Sequence, residues 1–398
     1  MAAVRDMTRH ESSGDAIGSS AAAPAKSLRV LHLCAGNLFG GIETYLLTLA
    51  RCGSFEPRLK SEFALCFPGR FEDELRAAGV PVHELGPVRL SRPWTVLRAR
   101  RRLNALLASA RPDRVVVHGS WSQFVFGSVV NRRHIPLVLQ VHGPLSETSL
   151  LDRWARRVPV DLILTNSDHM LAGLASFYGD VPRFVYRYPV AADSLGGRSR
   201  DAIRAELGTP PETVVIIQVS RLERWKGQQV LLEALARLSD VANWECWIVG
   251  GPQRPEEELY LQELRAFAAA ECDGRRVKFL GQRSDVAELL RAADVFCQPN
   301  TDPEPFGIVF IEALYRGLCV ATSNLGGGAE IVTPECGRLT PPGDAAALAA
   351  TLAEWIANPS RRRTASTSGP ARAAQLCDPR RQIRTLYETL SAANMRTS

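Results

Sequence analysis

The sequence predicts two doubly wound α/β domains, each a parallel sheet with helices on both faces. Three observations predict this. From residue 28 onward, short β-branched runs alternate with stretches of helical periodicity. The runs are apolar almost throughout, as strands covered on both faces are. A stretch of Gly, Ser and Arg at 191–200, including Gly196 and Gly197, has linker composition and divides the chain into halves of about 170 residues, an ordinary domain size. The full length of 398 residues is enough for two complete cores.

Taken in order, residues 1–27 are rich in Ser, Ala and Gly and lack an apolar h-region, which predicts a disordered tail and not a secretory signal. The first domain, 28–195, carries apolar runs at 29–34, 61–66, 81–85, 114–118, 137–142, 162–166 and 184–188. The second, 196–375, carries them at 214–220, 245–250, 277–281, 295–298, 319–322 and 337–340. In the last segment, 376–398, Ile383, Leu386, Tyr387 and Leu390 form one helical stripe, read as a helix that packs back on the first domain.

Composition excludes several classes. The nine cysteines are odd in number, contain no C-x-x-C and sit mostly in apolar runs, so they read as reduced buried thiols and not as a disulfide frame or zinc site. No run reaches the roughly 18 apolar residues of a membrane span, and the expected location is cytoplasmic. The net charge of +6 favours anionic partners without choosing among them. Arg98, Arg100, Arg101 and Arg102, with Arg132 and Arg133, form a basic cluster in the first half. A solvated face is its default reading, and peripheral contact with an anionic membrane is the alternative.

The chemistry concentrates in the second half. The Pro- and Gly-rich loop 300–307 precedes a segment with Ile308, Ile311 and Tyr315 at helical spacing. Glu304 therefore lies before a helix and Glu312 in its second turn. Helix N-termini attract anions, and two carboxylates there can accept bonds from sugar hydroxyls and a vicinal diol, or simply cap and solvate a helix. After the run 214–220, Arg221 leaves the carboxyl end of a strand and Lys226 stands at the next helix start. Ligands bind at that edge of an open α/β sheet, and two cations there suit a diphosphate. Near the amino terminus Gly36 and Gly41 satisfy G-x4-G. Ile42 and Glu43 stand where a Walker motif needs Lys and Ser or Thr, and G-x-G-x-x-G is absent, so neither an ATPase nor a nicotinamide loop is supported.

The segment from Glu304 to Glu312, with Phe306-Gly307 inside it, resembles the E-x7-E signature of retaining GT-B glycosyltransferases, the large family 4 or group 1. Ser220-Arg221-Leu222, followed by Lys226-Gly227, resembles the same family's diphosphate motif, and Gly40-Gly41 with Glu43 its first loop. The resemblance covers roughly residues 28–392 and implies a GT-B fold, with two Rossmann-like domains facing across a cleft. It implies Glu304 on the donor sugar and Glu312 on the ribose. Phe306, Gly307 and Ile308 would meet the donor, Arg221, Lys226, Gly40 and Gly41 the diphosphate, and Gln282 and Arg283 the base. His142, at a strand end, would stand near the donor sugar. His118, Trp121 and Ser167 are candidates for the acceptor side. The Gly326–Gly328 run resembles the family's Gly-rich turn and is read as structural. The implied reaction uses a nucleoside diphosphate sugar as co-substrate, with UDP- or GDP-sugars expected, no further cofactor and no metal, since no D-x-D occurs. Nucleic acid is not an expected partner. A sugar-phosphate synthase of the same fold and a non-catalytic nucleotide-sugar-binding protein remain the alternatives.

Overall fold

The computed structural model describes residues 27–36, 40–192 and 197–392. Residues 1–26 of the expected tail, and Gly196 of the expected linker, lie outside them. Strands β1 (Leu28–Cys34), β2 (Leu59–Leu65), β3 (Val82–Glu84), β4 (Arg114–His118), β5 (Leu137–Val141), β6 (Leu162–Thr165) and β7 (Arg183–Val185) form the first sheet. Strands β8 (Val214–Val219), β9 (Trp244–Val249), β10 (Val277–Gly281), β11 (Val295–Gln298), β12 (Cys319–Ser323) and β13 (Gly337–Thr340) form the second. All pairings are parallel, in the orders β3-β2-β1-β4-β5-β6-β7 and β10-β9-β8-β11-β12-β13. The expected fold class is the one observed.

Both sheets reverse direction of growth beside their first strand, at β1/β4 and at β8/β11. Such a switch point leaves a crevice at the carboxyl ends of the strands, because the flanking crossover helices go to opposite faces. The sequence places its polar residues at these ends. His118 closes β4, Arg221 follows β8, and the loop carrying Glu304 follows β11.

Apolar residues along the strands feed three core clusters. One lies on the outer face of each sheet. The third is continuous between the halves, running from Tyr45 and Val116 through Tyr186 and Tyr188 to Phe306, Phe310 and Ile217. The chain's end ties the halves as well. The helix Pro359–Cys377 packs on the helix Ile308–Tyr315 in the second half. The helix Pro379–Ala392 then lies on the first half, where Arg380 covers the Phe55 ring, Arg58 covers that of Tyr387, and Arg114 Nε donates to Leu390 O. All nine cysteines are free thiols, seven of them buried.

One expectation is corrected. The Gly326–Gly328 run is not a turn but the opening of a helix, Gly326–Ile331. Its first two residues must be glycine because the helix abuts the Glu304 loop. A Cβ on Gly326, at φ +53°, would lie 2.4 Å from Glu304 O, and one on Gly327 would lie 2.6 Å from Phe306 Cα. The Gly327 N–H donates to Glu304 O at 2.7 Å. The run thus fixes the backbone of the loop that carries Glu304.

Candidate active site

Residues separated by 78 positions meet at the carboxyl edge of the second sheet. Lys226 Nζ lies 2.5 Å from Glu304 Oε2. Lys226 closes a short 3-10 turn, Arg224–Lys226, and Gly227 then takes a left-handed conformation to start the helix Gln228–Ala236. A side chain is excluded at Gly227, since its Cβ would fall 1.9 Å from Pro299 O, on the strand-end loop that leads to Glu304. The two loops are therefore in backbone contact, and the ion pair follows from that contact.

Glu304 Oε2 also accepts from Gln298 Nε2 and Asn300 Nδ2, each at 3.2 Å. All three bonds converge on Oε2, and no partner for Oε1 is found among the described residues. Burial pushes the Lys226 ammonium below the usual lysine range, and the facing Glu304 carboxylate opposes that shift. The ammonium also stands 3.9 Å from the centre of the Trp225 ring. Arg221 is exposed and paired with Glu223 at 2.7 Å.

Gly307, at φ +92°, caps the helix Ile308–Tyr315. The first turn of any helix has N–H groups without intrahelical acceptors, and here that turn lies beside Lys226 and Glu304. The Ile308 side chain reaches across to the first half, where Cδ1 would stand 3.7 Å from a Cβ on Gly41. Gly40 and Gly41 open the helix Gly41–Arg51, and the Gly40 N–H donates to Glu43 Oε2 at 3.0 Å. Burial raises the Glu43 carboxyl above its usual range. The structure thus gathers Lys226, Glu304, Phe306, Gly307, Ile308, Gly40 and Gly41 around one junction between the halves.

Other candidates stand differently. Glu312 is half-buried one turn into that helix. Arg283 is held by Asp285 and Glu206, at 2.6 and 3.0 Å. Trp121 packs edge-on against Phe126 at the start of the helix Gly119–Asn131, on the first-half side. Ser167 is fully buried. Its hydroxyl donates to Pro305 O at 2.6 Å and also accepts the Met170 N–H, so it joins the halves beneath Glu304.

His118 and His142 belong to a buried chain of side chains. His32 Nδ1 is 3.1 Å from His118 Nε2, His118 Nδ1 is 3.0 Å from His142 Nε2, and His142 Nδ1 is 2.5 Å from Tyr188 Oη. The rings stack because β1, β4 and β5 are neighbours. Burial pushes His32 and His142 down to about 3, and His118 well below its ordinary value, so all three are neutral. The Asn166 amide donates to Tyr188 Oη, which directs the phenol hydrogen to His142 Nδ1. Each histidine then donates from Nε2 to the next, leaving His32 Nε2 without an acceptor. Both ring nitrogens of His142 are consequently occupied by protein.

Sequence reasoning missed Gln298 and Asn300, which hold Glu304, and Tyr188 and His32, which hold the histidine chain. The signal for the first two was present, since both are polar residues at a strand's carboxyl end. It also missed Glu330, whose carboxylate accepts the backbone N–H groups of Asp168 and His169 at 3.0 and 2.6 Å while Arg187 pairs with it and with Asp168. This clasp ties the helix Gly326–Ile331 to the amino end of the helix Asp168–Tyr178 across the junction.

Comparison with known proteins gives consistent matches. Residues 199–372 match the model of the family described as glycosyl transferases group 1, and residues 40–219 match a glycosyl transferase 4-like domain. A D-inositol 3-phosphate glycosyltransferase of Rhodococcus opacus is 28% identical over 270 residues, covering 61% of this chain and 59% of the relative. A phosphatidyl-myo-inositol mannosyltransferase of Mycobacterium leprae is 34% identical over 174 residues, covering 42% and 44%. The match therefore spans about half the length of these curated relatives. The crystal structure of Anabaena Alr3699/HepE in complex with UDP and glucose superposes with a TM-score of 0.80 at 25% identity, covering 92% of this chain and all of that one.

Proposed function

This chain belongs to the glycosyl transferases group 1 family, and we propose on that premise that it moves a sugar from a nucleoside diphosphate donor to an acceptor hydroxyl, with retention at the anomeric carbon and without a metal ion. The observation that carries the reading is the meeting of Lys226 and Glu304 beside a helix N-terminus at the second sheet's switch point.

The departing diphosphate would meet the Lys226 ammonium, the Arg221 guanidinium and the N–H groups of the first turn at Ile308. Fixed donors aimed at developing charge cost no reorganisation during the reaction. Lys226 would exchange part of its pairing with Glu304 for the phosphate. Glu304, still held at Oε2 by Gln298 and Asn300, would take sugar hydroxyls at Oε1. Gly40 and Gly41 would cover the diphosphate from the other half, opposite Ile308. Glu312 would bind the ribose. The acceptor hydroxyl would enter from the first half and pass its proton to the leaving phosphate, so the protein's part is orientation and charge stabilisation. His142, with both ring nitrogens engaged, would act through its backbone and ring edge. The relatives named for inositol phosphates, and the neighbour solved with UDP, support a UDP- or GDP-sugar as donor and a polyol or glycoside as acceptor.

The test is a thermal-shift panel of UDP-, GDP- and ADP-sugars, followed by product analysis with the best ligand. One donor should stabilise the protein, since a ligand that binds only the folded state raises the melting temperature by mass action, and its transfer should survive EDTA. Stabilisation by none of them would refute the donor reading. Turnover abolished by EDTA and restored by a divalent ion would refute metal independence.

A further inference from the structure

Away from the junction, the first half carries a surface that the proposed reaction does not use. The helix Pro93–Ala110 buries Ala99, Leu103 and Leu107. Its opposite stripe, at the spacing of successive turns, is Trp94, Leu97, Arg98 and Arg101, all exposed. Trp94 is 61% exposed and Leu97 53%, and Leu90 just before the helix is exposed too. Seven arginines and no carboxylate occur from residue 85 to 112, and between Glu84 and Glu147 Asp113 is the sole acidic residue. Among the described residues, Arg89, Arg92, Arg98 and Arg101 have no carboxylate partner.

A second element extends this face. The helix Leu150–Ala155 carries exposed Leu150 and Trp154, the latter 43% exposed, with Arg153, Arg156 and Arg157 beside them. Both helices flank the helix Gly119–Asn131, and the shallow groove between them is lined by Arg100, Phe124, Ser128, Trp154 and Arg157. Apart from Arg156, which pairs with Glu147 at 3.7 Å, these cations have no carboxylate partner among the described residues, and large apolar side chains among them are poorly placed in water. They are well placed where an apolar phase lies beneath a layer of fixed negative charge. Trp and Leu would enter the acyl boundary while Arg stays with the headgroups. No helix among the described residues is long and apolar enough to cross a membrane, so the contact would be peripheral.

We infer that the face formed by the helices Pro93–Ala110 and Leu150–Ala155 docks this protein on an anionic lipid bilayer. The inference does not rest on the proposed reaction, because vesicle binding is read without donor or acceptor. Charge complementarity selects the partner: each arginine near an anionic surface adds attraction that decays within a Debye length, and the apolar residues add a component that salt does not screen.

The experiment is flotation of the full chain with phosphatidylcholine vesicles, with and without phosphatidylglycerol, at low and raised salt. The protein should float with the anionic vesicles and less so in salt. Arg98→Glu with Arg101→Glu should lower partitioning at least about tenfold. Trp94→Ser with Leu97→Ser should lower it even at low salt. All four positions are exposed and lie outside the donor machinery, so melting temperatures should stay unchanged. The inference is overturned if the protein does not float, if it binds neutral vesicles equally, or if binding survives both pairs of substitutions. It is also overturned if duplex DNA at matched phosphate concentration strips the protein from the vesicles, since the surface would then serve nucleic acid.

Discussion

Replacing Glu304 with Gln would leave the Lys226 ammonium facing an amide in a site where the two side chains are only 11% and 12% exposed. Breaking a buried pair costs about 3–5 kcal/mol when the remaining charge is left uncompensated. Two features here reduce that figure. The Gln carbonyl can still accept from Gln298 and Asn300, and Lys226, already pushed below its usual range, can shed its proton. We therefore expect E304Q to cost about 2–3 kcal/mol and K226M about 2 kcal/mol. The double variant should cost no more than either alone, because it leaves no orphaned charge. The coupling energy from the cycle should thus be about 2 kcal/mol. Urea unfolding of the four proteins measures it. A coupling below about 0.5 kcal/mol, the range of exposed pairs, would refute the claim that this contact is a buried, mutually dependent pair. The same variants bear on function: E304Q should keep nucleotide affinity within a few fold while turnover falls by about 10²-fold or more, and unchanged transfer would remove Glu304 from the sugar site.

Two further outcomes follow from the junction between the halves. The three histidines of the His32–His118–His142 chain are neutral when folded, whereas an unfolded chain protonates them below about pH 6.5. The unfolded state therefore binds more protons in acid, so stability is retained above that pH and lost as the pH falls through it. For His32 and His142, each held at about 3, acidification from about pH 7 to about pH 5 should cost about 2 kcal/mol apiece. His118→Phe, which removes the central titrating group, should flatten the stability profile measured by urea midpoints across that range, and an unchanged slope would contradict the assignment. Glu330→Ala should release the amino end of the helix Asp168–Tyr178 and enlarge the radius of gyration of the unliganded protein in small-angle scattering. No change would show that the clasp does not hold the halves together.

What the sequence determined by itself was set by local rules. Apolar β-branched runs can only be covered strands, so all the strands of both sheets were legible to within a residue or two at most ends. The beginning of 184–188 was close, but its end was not, because Tyr186 and Tyr188 leave the sheet to pack against Tyr45 and Phe306. Arg221, Lys226, Glu304 and Gly40-Gly41, each of which alone reads equally as a loop, turn or cap residue, stood out because together they resemble the motifs of one family at strand ends where ligands bind. The tertiary structure decided which of these meet. Lys226 and Glu304 are 78 positions apart and become a pair through the contact of Gly227 with Pro299. Gly326–Gly328 read as a turn from its resemblance to the family's Gly-rich turn, yet it opens a helix, since at 326 and 327 only glycine fits against the Glu304 loop. The three histidines looked separate until sheet order set β1, β4 and β5 side by side. Spacing along a chain records periodicity, and so it fixes elements. It carries no record of which strand lies next to which, and that is where the pairs, the histidine chain and the clasp arise.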